Sequence, residues 1–160
     1  MAIEKTTKER GLFKTKISSA LYNENILELI LGDTSGMSPT DLIKGFKDHV
    51  KSHLFIDDTI IDAGTYIYYD VAIPVIKPTT KICIIKMWDI CHRDILDTYY
   101  KDGYYGNRTD ILSEMIEETL LDSVVANKFG IGELSLDSVE PYNSVRFYGA
   151  ILTFSVNTFR

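Results

Sequence analysis

The sequence predicts an α+β fold: an antiparallel sheet of about four strands, built as two hairpins, with a long crossover helix and N-terminal helices on one face. Three observations predict it. Apolar residues recur at helical spacing before residue 60, β-branched and aromatic runs take over after Gly64, and a second strand pair follows a long helical stretch.

Residues 1–14 read as a basic arm and residues 15–160 as one α+β domain. The first 11 residues are polar without a clear period, so the arm is expected to order late or only against a partner. Over residues 15–31, Ile17, Ala20, Leu21, Leu27, Ile30 and Leu31 recur at helical spacing, and Gly32 stands where a C-cap glycine belongs. Ser38 can cap a second helix, Pro39 suits its first turn and Asp41 favours its positive end. Leu42, Ile43, Phe46, Val50 and Leu54 give that helix its expected buried stripe, ending near Phe55.

Residues 65–73 and 81–88 are expected to pair as an antiparallel hairpin, the second strand being apolar on both faces as a central strand is. Pro74 and Pro78 fall between them and predict a loop of moderate length. Residues 89–100 read as a short helix, and Gly103 and Gly106 mark a turn. Asn107 or Thr109 then caps a long helix reaching about Ala126, with Ile111, Leu112, Met115, Ile116, Leu120 and Val124 as its apolar set. Residues 129–132 return the chain to β structure. Two strands over 131–139 and 145–156 follow, joined by a turn containing Pro141 and Asn143.

Composition bounds the function. The chain has 160 residues, 45% hydrophobic and 25% charged, which excludes collagen-like, coiled-coil and largely disordered classes. Apolar runs fall short of the roughly 18 residues that a membrane span requires, and Glu4, Lys5, Lys8, Glu9 and Arg10 stand where a signal peptide would be apolar, so a soluble, unexported product is expected. Two cysteines, Cys83 and Cys91, make no disulfide framework and suit a reducing compartment. Seventeen Lys and Arg oppose 23 Asp and Glu, for a net −6, but residues 1–16 carry +3 of their own.

The chemical motifs are sparse. His92-Arg93-Asp94 spells the opening of a kinase catalytic loop, yet Tyr99 stands where its metal-binding Asn belongs and no Gly-rich phosphate loop accompanies it. His49 and His53 share a helix face, but a metalloprotease would need Glu at position 50, which is Val, and a third ligand. Gly130-Ile131-Gly132 precedes an expected strand rather than opening a helix, as a phosphate cradle must. The expectation is therefore no enzyme, no catalytic residue, no cofactor and no metal.

Two surface features break local rules. On the long helix Asp110, Glu114, Glu118 and Asp122 follow one another at four-residue spacing, with Glu117 beside them and no Lys or Arg between Thr109 and Asn127. Like charges so placed oppose one another by roughly 0.2–0.5 kcal/mol per pair. The row reads either as a hydrated outer face or as an acidic stripe that meets a basic partner surface or repels DNA. Tyr99, Tyr100, Tyr104 and Tyr105 crowd one expected loop, where they can cover the core or make a protein contact. The charges around them cancel, which argues against a phosphate track.

From Lys81 to Phe154 the chain resembles small structural proteins at the neck of tailed bacteriophages, the connector and tail-terminator-like proteins. The resemblance is carried by Ile82-Cys83-Ile84-Ile85 running into Cys91-His92-Arg93-Asp94, by Arg108-Thr109-Asp110 opening a long helix, by Phe129-Gly130-Ile131-Gly132-Glu133-Leu134, and by Tyr148-Gly149 with Leu152-Thr153-Phe154. It implies a subunit that closes head to tail into a ring around the DNA channel, in contact with copies of itself and with portal-side, neck and tail proteins. Such a protein would be made in the host bacterial cytoplasm and end in the virion, DNA passing its lumen without sequence-specific binding and no membrane being involved.

Heterologous ring contacts join one patch to a different patch on the neighbour. The arm residues Lys5, Lys8, Arg10 and Lys14, the four tyrosines and the acidic row Asp110, Glu114, Glu118 and Asp122 are the candidate interface. Deleting residues 1–14 is then expected to weaken assembly while the domain still folds. The alternative class is a small acidic cytoplasmic adaptor or immunity-type protein that covers a basic toxin or nuclease surface.

Overall fold

The computed structural model describes residues 6–54, 56, 63–126 and 134–159. Three helices come first: α1 (Thr6–Leu21), α2 (Glu24–Leu31) and α3 (Pro39–His49), followed by the short strand β1 (Val50–Lys51). A long hairpin, β2 (Thr65–Ile76) and β3 (Thr80–His92), leads through a 3-10 turn at Arg93–Ile95 to α4 (Arg108–Leu121) and α5 (Ser123–Ala126). The hairpin β4 (Ser135–Asn143) and β5 (Phe147–Phe159) completes a five-stranded sheet of order β1-β2-β3-β5-β4. Among the described residues only β1 runs parallel to its neighbour. The α+β class and the two hairpins expected from the sequence are those of the fold, with β1 added at one edge.

Capping residues place three helices. Asn23 accepts from the Ile26 N–H to start α2, Ser38 accepts from the Asp41 N–H to start α3 with Pro39 in its first turn, and Asn107 with Asp110 forms a capping box on α4. The expected single helix over 15–31 is two: α1 begins nine residues earlier, at Thr6, and Asn23 restarts the chain as α2. Gly32 closes α2 at φ +83°, a conformation that glycine alone adopts without strain.

Other boundaries differ for identifiable reasons. Pro74 sits inside β2 at a register shift between Ala72 and Val75, so the hairpin loop is only residues 77–79. Pro141 and Asn143 lie within β4, an edge strand that tolerates a missing N–H, and the turn comes after them. Residues 89–92 extend β3, leaving one 3-10 turn where a short helix was expected. The expected second helix stops at His49, with Ile43 and Leu54 exposed while Phe46 and Val50 are buried. Val124 likewise faces outward. Residues 129–132 lie outside the described residues.

The helices cover one sheet face. Phe13, Ile17 and Leu21 of α1, at four-residue spacing, and Ile111, Leu112, Met115, Ile116 and Leu120 of α4 pack with Ile67, Tyr69, Val71, Ile85, Met87, Phe154 and Val156. Each such side chain contributes about 1.5–3 kcal/mol on burial. A smaller cluster of Tyr68, Ile90 and Phe147 lies on the opposite face, with Tyr66, Trp88 and Tyr142 against it.

Residues 6–14 are therefore part of the domain, correcting the expected boundary at residue 15. Glu9 of α1 pairs with Lys81, a cation only 1% exposed on the helix-covered face of β3. Arg10 Nε donates to the Val71 carbonyl at 2.6 Å, and its Nη2 lies 2.8 Å from Asp70 Oδ1. Lys14 donates to the Ser52 carbonyl at 2.8 Å and reaches Asp70 at 3.0 Å. Burial pushes the Asp70 carboxyl up, but hydrogen bonds from Lys14 and the Val71 N–H, with the Lys14 and Arg10 charges, outweigh it and hold the group below its usual range.

Candidate interaction surface

The acidic row of α4 turns outward because the opposite stripe of the helix is buried. Asp110, Glu114, Glu117, Glu118 and Asp122 are all exposed, and no ion pair to them occurs among the described residues. They are not equivalent. Asp110 Oδ2 accepts from the Asn107 N–H at 2.9 Å, and Glu118 accepts from Tyr104 Oη at 2.8 Å. Asp122 Oδ1 accepts from the Val124 N–H at 3.0 Å, and Glu114 and Glu117 are exposed. Glu24 of α2 lines an open groove together with Glu118 and Asp122, so the row widens into an acidic surface.

The tyrosine cluster divides in two. Tyr99 and Tyr104 are partly buried against the core, and the Arg108 guanidinium lies 5.2 Å above the Tyr99 ring. Arg108 Nη1 donates to the Leu29 carbonyl at 2.8 Å and Nη2 to Thr98 Oγ1 at 3.1 Å, tying α2 to the loop that carries the tyrosines. Burial and the nearby Glu28 charge raise the Tyr99 phenol, and the hydrogen bond to Glu118 raises that of Tyr104. Tyr100 and Tyr105 are 80% and 84% exposed. An amphipathic ring left so open has contact area to give to a partner.

The expected basic half of the interface is placed differently. Lys5 lies outside the described residues, Lys8 is exposed on α1, and Arg10 and Lys14 are engaged with Asp70 inside their own chain. Segments 6–21 and 39–51 together carry seven Lys and Arg against three acids, whereas 23–33 and 97–122 carry ten acids against Lys101 and Arg108. The basic excess sits mainly on α1, which packs against both β2 and α4, and the acidic excess on α2 and α4; α3 lies by β1 and β2 at one edge, and α4 lies over β3 and β5.

Two further features escaped the sequence. Asp89, near the end of β3, is wholly buried; its Oδ2 accepts from Ser113 Oγ of α4, and its Oδ1 has no partner among the described residues. Burial pushes this carboxyl well above its usual range despite hydrogen bonds from Ser113 and the Ala150 N–H, and the Asp110 charge adds in the same direction. Between α1 and α3, Tyr22, Ile43, Phe46 and Lys47 line an open, largely apolar groove of about 470 Å³, with the Tyr22 and Phe46 rings edge to face at 5.1 Å. Ile43 at helical spacing reads as core from sequence alone, which hides this groove.

Two of the three histidines have local partners, and His53 lies past the end of α3, exposed, so the expected His49–His53 helix face is not formed. His49 Nδ1 lies 2.9 Å from the Thr65 carbonyl and its ring stacks on Tyr66, while His92 caps the 3-10 turn through the Asp94 N–H. Cys83 and Cys91 are buried free thiols, raised by that burial. No helix among the described residues is long and apolar enough to cross a membrane.

No curated protein and no solved structure matches the chain. One family model does, described as YomW, over residues 16–156.

Proposed function

This chain belongs to the YomW family, a name of phage-associated kind, and on that premise we propose that it is a structural protein of a tailed-phage particle, one subunit of a ring at the head-to-tail neck. The observation that carries this reading is the uneven charge of the helical layer. Helix α4 presents an exposed acidic row that lacks a cation partner among the described residues, and α1 and α3 carry an excess of Lys and Arg. A subunit with complementary patches on different flanks propagates head to tail, and the chain closes when the rotation allows. In such a ring the subunit contacts copies of itself and the neighbouring portal-side or tail layers, and DNA passes through without sequence being read. Labelling the chain on particles of the phage that encodes it tests the placement. Label confined to the head-to-tail junction supports the neck, and particles that carry none of it refute the reading.

The same acidic surface favours a second reading, a small adaptor that covers a basic protein. A stable one-to-one complex with a basic partner, formed by a chain that does not self-associate, distinguishes it.

A further inference from the structure

We propose that Arg108 is a strut that sets the loop of residues 96–107 in one conformation, with Tyr99 and Tyr104 as its anchors and Tyr100 and Tyr105 as the rings it displays. The loop runs from the 3-10 turn to α4 without a strand or helix of its own. Its tyrosines come as two pairs of opposite fate. Tyr99 and Tyr104 pack against the core, and the residue after each, Tyr100 and Tyr105, stands open to solvent. Each inward ring fixes the backbone from which its neighbour points outward. Gly103 and Gly106, at φ +88° and +89°, turn the chain on either side of the second pair.

Arg108 holds this arrangement from several directions. Its Nη1 donates to the Leu29 carbonyl of α2, its Nη2 to the Thr98 hydroxyl and its Nε to the Ile95 carbonyl at 3.3 Å, while its backbone N–H donates to the Leu96 carbonyl at 2.9 Å. The guanidinium also covers the Tyr99 ring. A planar fork serves three acceptors and a ring together, which a lysine ammonium, a point charge on a flexible stem, does not. The other side-chain bonds that reach from the loop to α2 or to the body of α4, Lys101 to Asn25 and Tyr104 to Glu118, are open to competing water, whereas the Arg108 bonds to Ile95 and Leu29 are partly buried. A loop ordered in advance offers its rings to a partner protein at a lower entropic cost. The strut acts before a partner arrives, so it stands apart from the ring reading.

The test is amide hydrogen exchange by NMR on the full chain, read at positions 98, 104 and 108, whose N–H groups are bonded to Ile95, Lys101 and Leu96. In the wild type these amides are expected to be protected. Arg108→Lys is expected to speed their exchange at least tenfold more than that of the β3 and β5 amides, whereas Tyr100→Ser and Tyr105→Ser leave all of them as they are. Thr98→Val, at an exposed position, removes one acceptor of the fork and is expected to act on the amides of 104 and 108 in the same direction, which decides the matter where Arg108→Lys does not fold. Loop amides that are unprotected in the wild type, or unchanged in Arg108→Lys, overturn the strut. So does equal acceleration over loop and sheet, which would make Arg108 a general stabiliser. Faster exchange in either tyrosine variant overturns the division into anchors and displayed rings.

Discussion

Ser113 Oγ on α4 donates a hydrogen bond to Asp89 Oδ2 in the centre of the sheet, fastening the helix that carries the acidic row to the strand beneath it. Asp89 is buried and its carboxyl is held protonated well beyond the usual range. In the unfolded chain the same group ionises near pH 4. Unfolding therefore releases a proton once the pH passes that value, and this contribution to stability falls as pH rises, by up to about 1.4 kcal/mol per unit, until the folded-state pKa is passed. Asp89→Asn removes the titration. Urea midpoints are expected to shift in favour of the variant, relative to wild type, with each step above pH 4; a gap that is constant in pH contradicts the assignment.

Gly149 faces Ile90 across the ladder, and a Cβ placed on it would stand 1.8 Å from the Asp89 carbonyl. Backbone cannot yield that space without breaking the pairing of the two longest strands. Gly149→Ala is expected to cost roughly 2–4 kcal/mol, read as a lowered denaturation midpoint. A loss under about 0.5 kcal/mol would mean that β3 and β5 are not in this register.

Glu9 and Lys81 turn the segment once expected to be a detachable arm into part of the fold. Glu9→Gln leaves a buried ammonium facing a neutral amide, for a loss of about 3 kcal/mol. Deleting residues 6–14, which also takes away Phe13, is expected to abolish the cooperative melt. A truncated chain that melts like wild type would restore the arm.

Charge spacing explains why part of this was legible in the sequence and part was not. Ser38-Pro39, Asn107 and the β-branched runs of β2 and β3 act through local rules, so the caps and the hairpin could be read directly. In α1 the buried stripe Phe13, Ile17 and Leu21 is thin and interleaved with Lys8, Arg10, Lys14 and Lys16, and its start reads as a solvated tail until Asp70 is seen to engage Arg10 and Lys14 and Glu9 to meet Lys81. The acidic row was legible because helical spacing alone sets its face. Which tyrosines it leaves exposed, and that Ile43 opens a groove, depend on how helices pack against one another, and no periodicity carries that.

Glu114 is flanked on its own helix by Asp110 and Glu118, so Glu114→Gln relieves two like-charge pairs. At low salt the isolated subunit is expected to gain from a few tenths to about 1 kcal/mol in stability. Assembly is expected to weaken in the same variant. Loss of stability instead would mean that the row serves the fold and not a contact.

The central claim, that copies join through opposite flanks, is tested most directly by the mass of the full-length chain in solution, measured by light scattering as salt is raised. A discrete closed oligomer at low salt that dissociates as screening increases is the expected result. A monomer at all concentrations and all ionic strengths would contradict it.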